Sequence, residues 1–374
     1  MAFRVVFLAG LLASLTAALV PPCLPELGFE FCPTAEHASL ASKGPRTPKI
    51  SAVFPQTLVH EAELKADIFP RISTSRMESS LSRYADASLY PNRHCKSKFG
   101  AGLAETIGLE LKMLMADKKV TEFPIGARLV ENRTPQESLV WRVLAREPKS
   151  QWFEPKNTIV VGAHMDSNAA YNGKNYDDMQ APGADDNGSG VAVLLEVYHA
   201  LLPLFGRKDL INEVQFHWYG AEEIGLVGSD TVFENYKNSS WPVKAMLNLD
   251  MVGYSGAHKK GSPIMALQQD HNNQNLTDFV HKLINTYRSA KPGNMTCGYP
   301  CSDHASAYKH GFPSAMIGES TYIKGDSISP SGNPAIHTAN DTVDRIDYDY
   351  MKEFVKVTAA FVAELAYTDF SKLE

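Results

Sequence analysis

Five short stretches of this 374-residue chain carry acidic and histidine side chains in patterns that suit metal chemistry. They are His164-Met165-Asp166, the Asp185-Asp186 pair in GADDNGSG, the Glu222-Glu223 pair, Asp250 in NLDM, and His337 in AIHT. Taken singly, each has an ordinary reading as a satisfied strand-end histidine, a helix cap or a solvated loop acid. Taken together, so many carboxylates in one place would repel one another and resist ionisation, so the cluster needs cations. Mixed imidazole and carboxylate donors suit zinc or a neighbouring first-row ion, and the lack of Cys at these positions argues against a structural thiolate site. With an acid to spare, one carboxylate can bridge two metals while another acts as base. Two ions roughly 3.5 to 4 Å apart can clamp and activate a water for hydrolysis.

These residues meet only if the fold brings them to one edge. Apolar runs predict strands over 137–146, 157–163, 214–219 and 244–249, with shorter ones over 263–267 and 314–317. Helical spacing of apolar residues predicts helices over 101–115, 190–204, 226–236, 276–289 and 348–367. Such alternation predicts an α/β fold: a mostly parallel or mixed twisted sheet with helices on both faces, in a single catalytic domain. Several strands run straight into an expected ligand, and ligands of open α/β sheets collect at the carboxyl ends of the strands.

The composition, 44% hydrophobic and 21% charged, is globular. With 36 basic residues against 42 acidic ones and the basic residues scattered, no nucleic-acid partner is expected. Five cysteines are too few to form a disulfide scaffold for this length. At the start, one Arg precedes an apolar run that ends in small residues and is closed by Pro21 and Pro22. Bilayer spans need about 20 apolar residues, so 1–19 is expected to be a secretory signal peptide and the mature protein extracellular, with no membrane association. Residues 20–80, rich in Pro, Ser, Thr and Ala, read as a prosegment or flexible leader, with an ordinary N-terminal arm as the alternative. The compact domain is expected over 81–374.

In their motifs and motif order (HMDS, GADDNGSG, EE, NLDM, IHT), residues 80–370 resemble the secreted, co-catalytic dizinc aminopeptidases, specifically the fungal leucine aminopeptidase group. The resemblance implies a zinc exopeptidase-like fold with two zinc ions per chain. Asp186 would bridge them, because it directly precedes Asn187-Gly188 and then Ser189-Gly190. His164 and Asp250 would complete one metal site, and Glu223 and His337 the other. Glu222 is implied as general base, and Asp166 as the acid that holds the His164 imidazole. The stretch from Cys297 to Cys301, followed by Ser302, Asp303 and His304, also fits the group. It implies a Cys297–Cys301 disulfide and a Tyr299 that hydrogen-bonds the substrate carbonyl or the oxyanion. A labile or metal-binding pair is the alternative, which secretion disfavours. Cys23 and Cys32 would pair within the leader, and Cys95 has no assignment.

The implied activity removes N-terminal residues, preferably large and apolar, from peptides with a free N-terminus. Met265, Tyr299, Met316 and Ile317 are candidate pocket residues, with plain core as the rival reading. A zymogen activated by loss of the leader, acting as a monomer, is expected. Sequons at Asn132, Asn238, Asn275 and Asn294 suit a secreted glycoprotein, whereas the one at Asn187 lies in the metal loop and should stay unmodified, and the one at Asn340, close to His337, is set aside for the same reason. Two rivals remain on the same fold: a glutaminyl cyclase-like enzyme with one zinc, and a binding module that has lost its chemistry. The GADDNGSG loop and the IHTAND segment, which follow the aminopeptidase pattern, argue against the first, and the complete set of five ligands and a base argues against the second.

Overall fold

A computed structural model describes residues 50–86, 88–117, 125–144, 156–169, 175–206, 210–256, 263–287, 290–321 and 332–373, with strand backbone at 23–24 and 29–31. The expected signal peptide and Cys32 lie outside the described residues. Ten strands form one mixed sheet: β1 (Cys23–Leu24), β2 (Phe29–Phe31), β3 (Ile125–Val130), β4 (Ser138–Val143), β5 (Thr158–His164), β6 (Glu213–Tyr219), β7 (Val243–Leu249), β8 (Ile264–Gln268), β9 (Lys291–Met295) and β10 (Ser314–Gly318). Their spatial order is β1-β2-β3-β4-β6-β5-β7-β10-β8-β9. The central run β6-β5-β7-β10 is parallel, while β3, β4 and β8 join antiparallel to their inner neighbours.

Among the described residues, seven α-helices of six or more residues flank the sheet: α1 (Thr74–Ala85), α2 (Leu103–Asp117), α3 (Gly190–Phe205), α4 (Val227–Asn238), α5 (Gln274–Tyr287), α6 (His304–Lys309) and α7 (Tyr348–Ala366). Alternation along β5 explains why both faces need cover. Ile159, Val161 and Ala163 point into the larger core with α3 and α7, while Val160 points into a smaller core with Val232, Phe233 and Tyr236 of α4. In register, His164 stands opposite Tyr219, and Leu249 opposite Ile317, so the loops leaving β5, β6, β7 and β10 emerge along one edge.

The expected strands and helices appear with ends shifted by a few residues. Among the described residues, β1, β2, β3, β9, α1 and α6 are additions to the sequence reading. β9 reads KPGNM, whose Pro and Gly disguise it, and a strand of that kind is tolerated at a sheet edge.

Part of the stretch expected as a leader packs against the main body. Phe54, Leu64, Ile68, Ile72, Met77 and Leu81 are buried in the larger core, and each such side chain contributes about 1.5–3 kcal/mol. Two buried carboxylates on the main body also depend on this arm. Glu364 accepts the backbone N–H groups of Val59 and His60, both at 2.9 Å, and Glu196 accepts that of Ser73 at 2.7 Å as well as the Arg76 guanidinium. The stretch from Phe54 onward is thus part of the packed body. Its polar composition hides an apolar spacing, Met77, Leu81 and Tyr84, that forms one face of α1 behind a Ser73 N-cap.

Candidate metal centre

β5 delivers His164 to the sheet edge. Just beyond it, the buried Asp166 carboxylate accepts the N–H of Glu222 at 3.0 Å and of Glu223 at 3.2 Å, and lies 3.3 Å from His164 Nδ1. One acid therefore orients an imidazole on one strand end and the acidic loop after its neighbour β6. The chain enters that loop through Ala221, at φ 57, whose N–H donates to Gln136 Oε1 at 3.0 Å.

The GADDNGSG loop precedes α3. Gly183 has φ 55, and a Cβ there would collide with the Asp186 carbonyl oxygen, so only glycine fits. The Asp341 carboxylate accepts the N–H groups of Asp185 and Asp186, at 3.1 and 3.0 Å, fixing the backbone from behind. Asn187, which follows a cis peptide bond, is buried. Its amide donates to Leu249 O at 2.9 Å and accepts from Met251 N at 3.2 Å, tying the loop to the end of β7 and so to Asp250.

Five side chains converge as a result. His164 Nε2 lies 3.3 Å from Asp186 Oδ1 and 3.4 Å from Asp250 Oδ1. His337 Nε2 lies 2.9 Å from Asp186 Oδ2 and 3.1 Å from Glu223 Oε2. They form two groups of three donors, His164 with Asp186 and Asp250 and His337 with Asp186 and Glu223, with the donor atoms of each group within 4.8 Å of one another. Each oxygen of Asp186 addresses a different group. Asp250 Oδ1 and Glu223 Oε1 are buried without a hydrogen-bond partner, an arrangement that costs free energy unless a cation supplies the missing interaction. The donor set and the orphaned oxygens fit two cations.

The electrostatics agree. Hydrogen bonds to Asp186 and Glu223 push the His337 imidazole up to about 11. Burial opposes charge on His164, yet Glu222, Asp250, Asp166 and Asp186 hold it well above its usual value. Burial and Asp186 lift the Glu223 carboxyl to about 7, against the pull of His337. Burial also lifts Glu222 well above the carboxylate range; His164 opposes this, while Asp303, Asp250 and Glu223 reinforce it.

A cavity of about 550 Å³ opens onto this cluster, lined by His164, Asp186, Glu222, Glu223, Asp250 and His337 on one side. Its apolar wall includes Leu226, Met251, Met295, Met316 and Ile336. Cys297 and Cys301 form a disulfide with Cα atoms 6.2 Å apart, and Tyr299 stands on that loop at the cavity mouth, 59% exposed. Of the candidate pocket residues, Met316 and Tyr299 line the cavity. Met265 and Ile317 do not: both are packed in the larger core. Met251 and Met295, which the sequence reading passed over, take their place; successive side chains of β10 face opposite sides of the sheet, so Met316 reaches the cavity while its neighbour Ile317 enters the core. Asp341 and Gln136 were also missed. Asp341 lies just past IHT, but nothing in its type reveals that it anchors another loop.

Comparisons with known proteins agree with this architecture. Residues 143–362 match the model of peptidase family M28. The chain is 36% identical over 343 residues to a probable leucine aminopeptidase of Trichophyton verrucosum, covering 91% of this chain and 85% of that one. Among solved structures it is similar to LapB from Legionella pneumophila, with TM-score 0.72 and 28% identity over 86% of this chain and 79% of that one. It is likewise similar to the LapA aminopeptidase of the same organism, with TM-score 0.70 and 29% identity over 83% and 76%. The mixed α/β sheet, the cluster at its edge and these likenesses lead to one assignment: the chain belongs to peptidase family M28 and is a peptide hydrolase.

Proposed function

We propose that the protein is a secreted two-zinc aminopeptidase that removes large apolar residues from peptide N-termini, with Glu222 as general base. The observation that carries this reading is the Asp186 carboxylate, whose two oxygens face two separate imidazoles and two separate groups of donors. His164, Asp186 and Asp250 would hold one ion, and Asp186, Glu223 and His337 the other. Zinc bound there supplies a Lewis acid that polarises the scissile carbonyl and lowers the pKa of water from 15.7 toward about 7.

The chain's own groups do the rest. The Glu222 carboxylate accepts a proton from the attacking water as the C–O bond forms, then delivers it to the leaving nitrogen as the C–N bond breaks. Its raised proton affinity, from burial and neighbouring acids, suits a group that must hold that proton between the two steps. Asp166 keeps Glu222 and Glu223 in place through their backbone N–H groups. Tyr299 donates its hydroxyl to the substrate carbonyl from the cavity mouth. The methionine-rich wall receives the apolar side chain, and the substrate's ammonium group rests against the surrounding acids, which excludes blocked N-termini.

Any removal of a leader falls before Phe54, because later cleavage would strand Glu196 and Glu364 without their partners. Glycans suit Asn238 and Asn294, which are exposed, whereas Asn187 is fully buried.

The test is metal analysis of purified protein together with hydrolysis of a leucyl chromogenic amide, before and after chelation and zinc repletion. Two zincs per chain and turnover restored by zinc are expected. One tightly bound zinc with cyclisation of N-terminal glutamine would establish the cyclase instead, and zinc-loaded protein inert toward every free N-terminal amide would leave a binding module.

A further inference from the structure

Arg93 is fully buried, yet among the described residues its side chain is paired with no carboxylate. Its guanidinium donates instead to four backbone carbonyls: Nε to Met165 at 2.9 Å, Nη1 to Tyr84 at 3.0 Å and to Pro182, and Nη2 to Gly183 at 2.8 Å. Met165 lies between His164 and Asp166. Pro182 and Gly183 open the loop that carries Asp186. The main chain of the same residue extends the connection. Arg93 N donates to Ser167 Oγ at 2.8 Å, and Ser167 Oγ in turn donates to Ala181 O at 2.7 Å. Arg93 O accepts from Gln136 Nε2 at 3.2 Å, and Gln136 Oε1 accepts from Ala221 N, immediately before Glu222. One residue thus touches, directly or through a single side chain, three of the five segments that carry the acids and imidazoles: those at the ends of β5 and β6 and the loop before α3.

We infer that Arg93 is a positioning residue of the metal centre, holding the His164 strand end and the Asp186 loop in mutual register and placing a fixed positive charge behind the acids. Burying a guanidinium is costly, and among the described residues the cost is met by four carbonyls, three of them (Met165, Pro182 and Gly183) in the segments that carry His164 and Asp186, and by the field of Asp341, Asp166, Asp186 and Glu223. The planar fork is what the task requires. An ammonium group keeps the charge but cannot address carbonyls from three separate segments in one plane. Arg93 is not among the cavity-lining residues, so it acts through the ligand loops and not on substrate.

The inference rests on the two-zinc reading, and its test keeps the two apart. Arg93→Gln and Arg93→Lys are purified beside the wild type. Zinc affinity is measured by competition with a chromogenic chelator, folding by circular dichroism and thermal melting, and kcat and KM separately on the leucyl amide. Residues that support metal ligands from behind typically cost about 10–100-fold in metal affinity or activity when changed. A folded Arg93→Gln protein with zinc affinity and kcat both reduced in that range, KM nearly unchanged, and partial recovery in Arg93→Lys is the expected result. Wild-type zinc affinity and kcat in either folded variant overturn the inference. So does failure of both variants to fold, which would make Arg93 a residue of the general core. A wild type that binds two zincs but hydrolyses no amide strikes the proposed activity alone, since the affinity difference between wild type and variants still decides the role of Arg93.

Discussion

The two halves of the metal centre are built differently. His164 and Asp250 sit at the ends of β5 and β7, neighbouring parallel strands of the central sheet, and the His164 side chain is 1% exposed. Glu223 and His337 sit on loops, and the His337 side chain is 48% exposed on a residue at φ 55, a backbone region that L-residues occupy at a cost. Asp186 serves both. Strand register brings the first half together, with Asp166 aligning His164 and Asn187 tying down the end of β7, whereas in the second half Glu223 is set by the backbone N–H it donates to the Asp166 carboxylate. Sheet-borne donors are pre-organised by the core, and loop-borne donors would gain more of their order from a bound cation.

The shared carboxylate is where this contrast breaks down, and changing it should have the largest effect. Asp186→Ala is expected to lose both zincs and essentially all leucyl amide hydrolysis, as read by metal analysis and steady-state rates; a variant that keeps both ions would remove the bridge. Glu222→Gln should retain both zincs while kcat falls by about 10²–10⁴-fold, the usual contribution of general acid–base catalysis. Retained turnover would take Glu222 out of the mechanism.

The contrast itself is tested by the paired variants His164→Ala and His337→Ala. Each should lose one ion, but only His164→Ala should lower the melting temperature of the metal-free protein appreciably. His337→Ala, at a half-exposed position, should change stability by no more than about 0.5 kcal/mol. Equal destabilisation would show that the loop half is as firmly built as the sheet half. The smallest effect is expected at the exposed Tyr299: Tyr299→Phe removes one hydroxyl from the cavity mouth and should lower kcat by about 10-fold at most without altering zinc content, within the range of one lost oxyanion donor, which at a fully engaged site reaches about 10²–10³-fold. An unchanged kcat would make that tyrosine part of the wall only.

How much of this is legible in the residues varies by region. The central strands announce themselves as apolar runs that end in His164, Glu222 or Asp250, and α3 and α7 as long apolar helices. α1 is disguised by its serines and arginines, because only one face of it meets the core. β9 is disguised by Pro292 and Gly293, which the open edge of a sheet accepts. The metal cluster is readable because zinc chemistry demands particular side chains. The groups that aim it are not, since Asp341, Gln136 and Arg93 act largely through backbone atoms, and a backbone carbonyl carries no signature in the amino-acid code.

What the amino-acid order determined alone is the chemistry: the kinds of donor, their sequence along the chain, and strands able to carry several of them to a common edge. The tertiary structure decided which oxygen of Asp186 meets which imidazole, which methionines reach the cavity, and that the segment from Phe54 to Ala85 belongs to the packed body. The reason is one of range. Side-chain type and periodicity are local properties, but burial, strand register and hydrogen bonds to distant backbone atoms come into being only when remote parts of the chain close on one another.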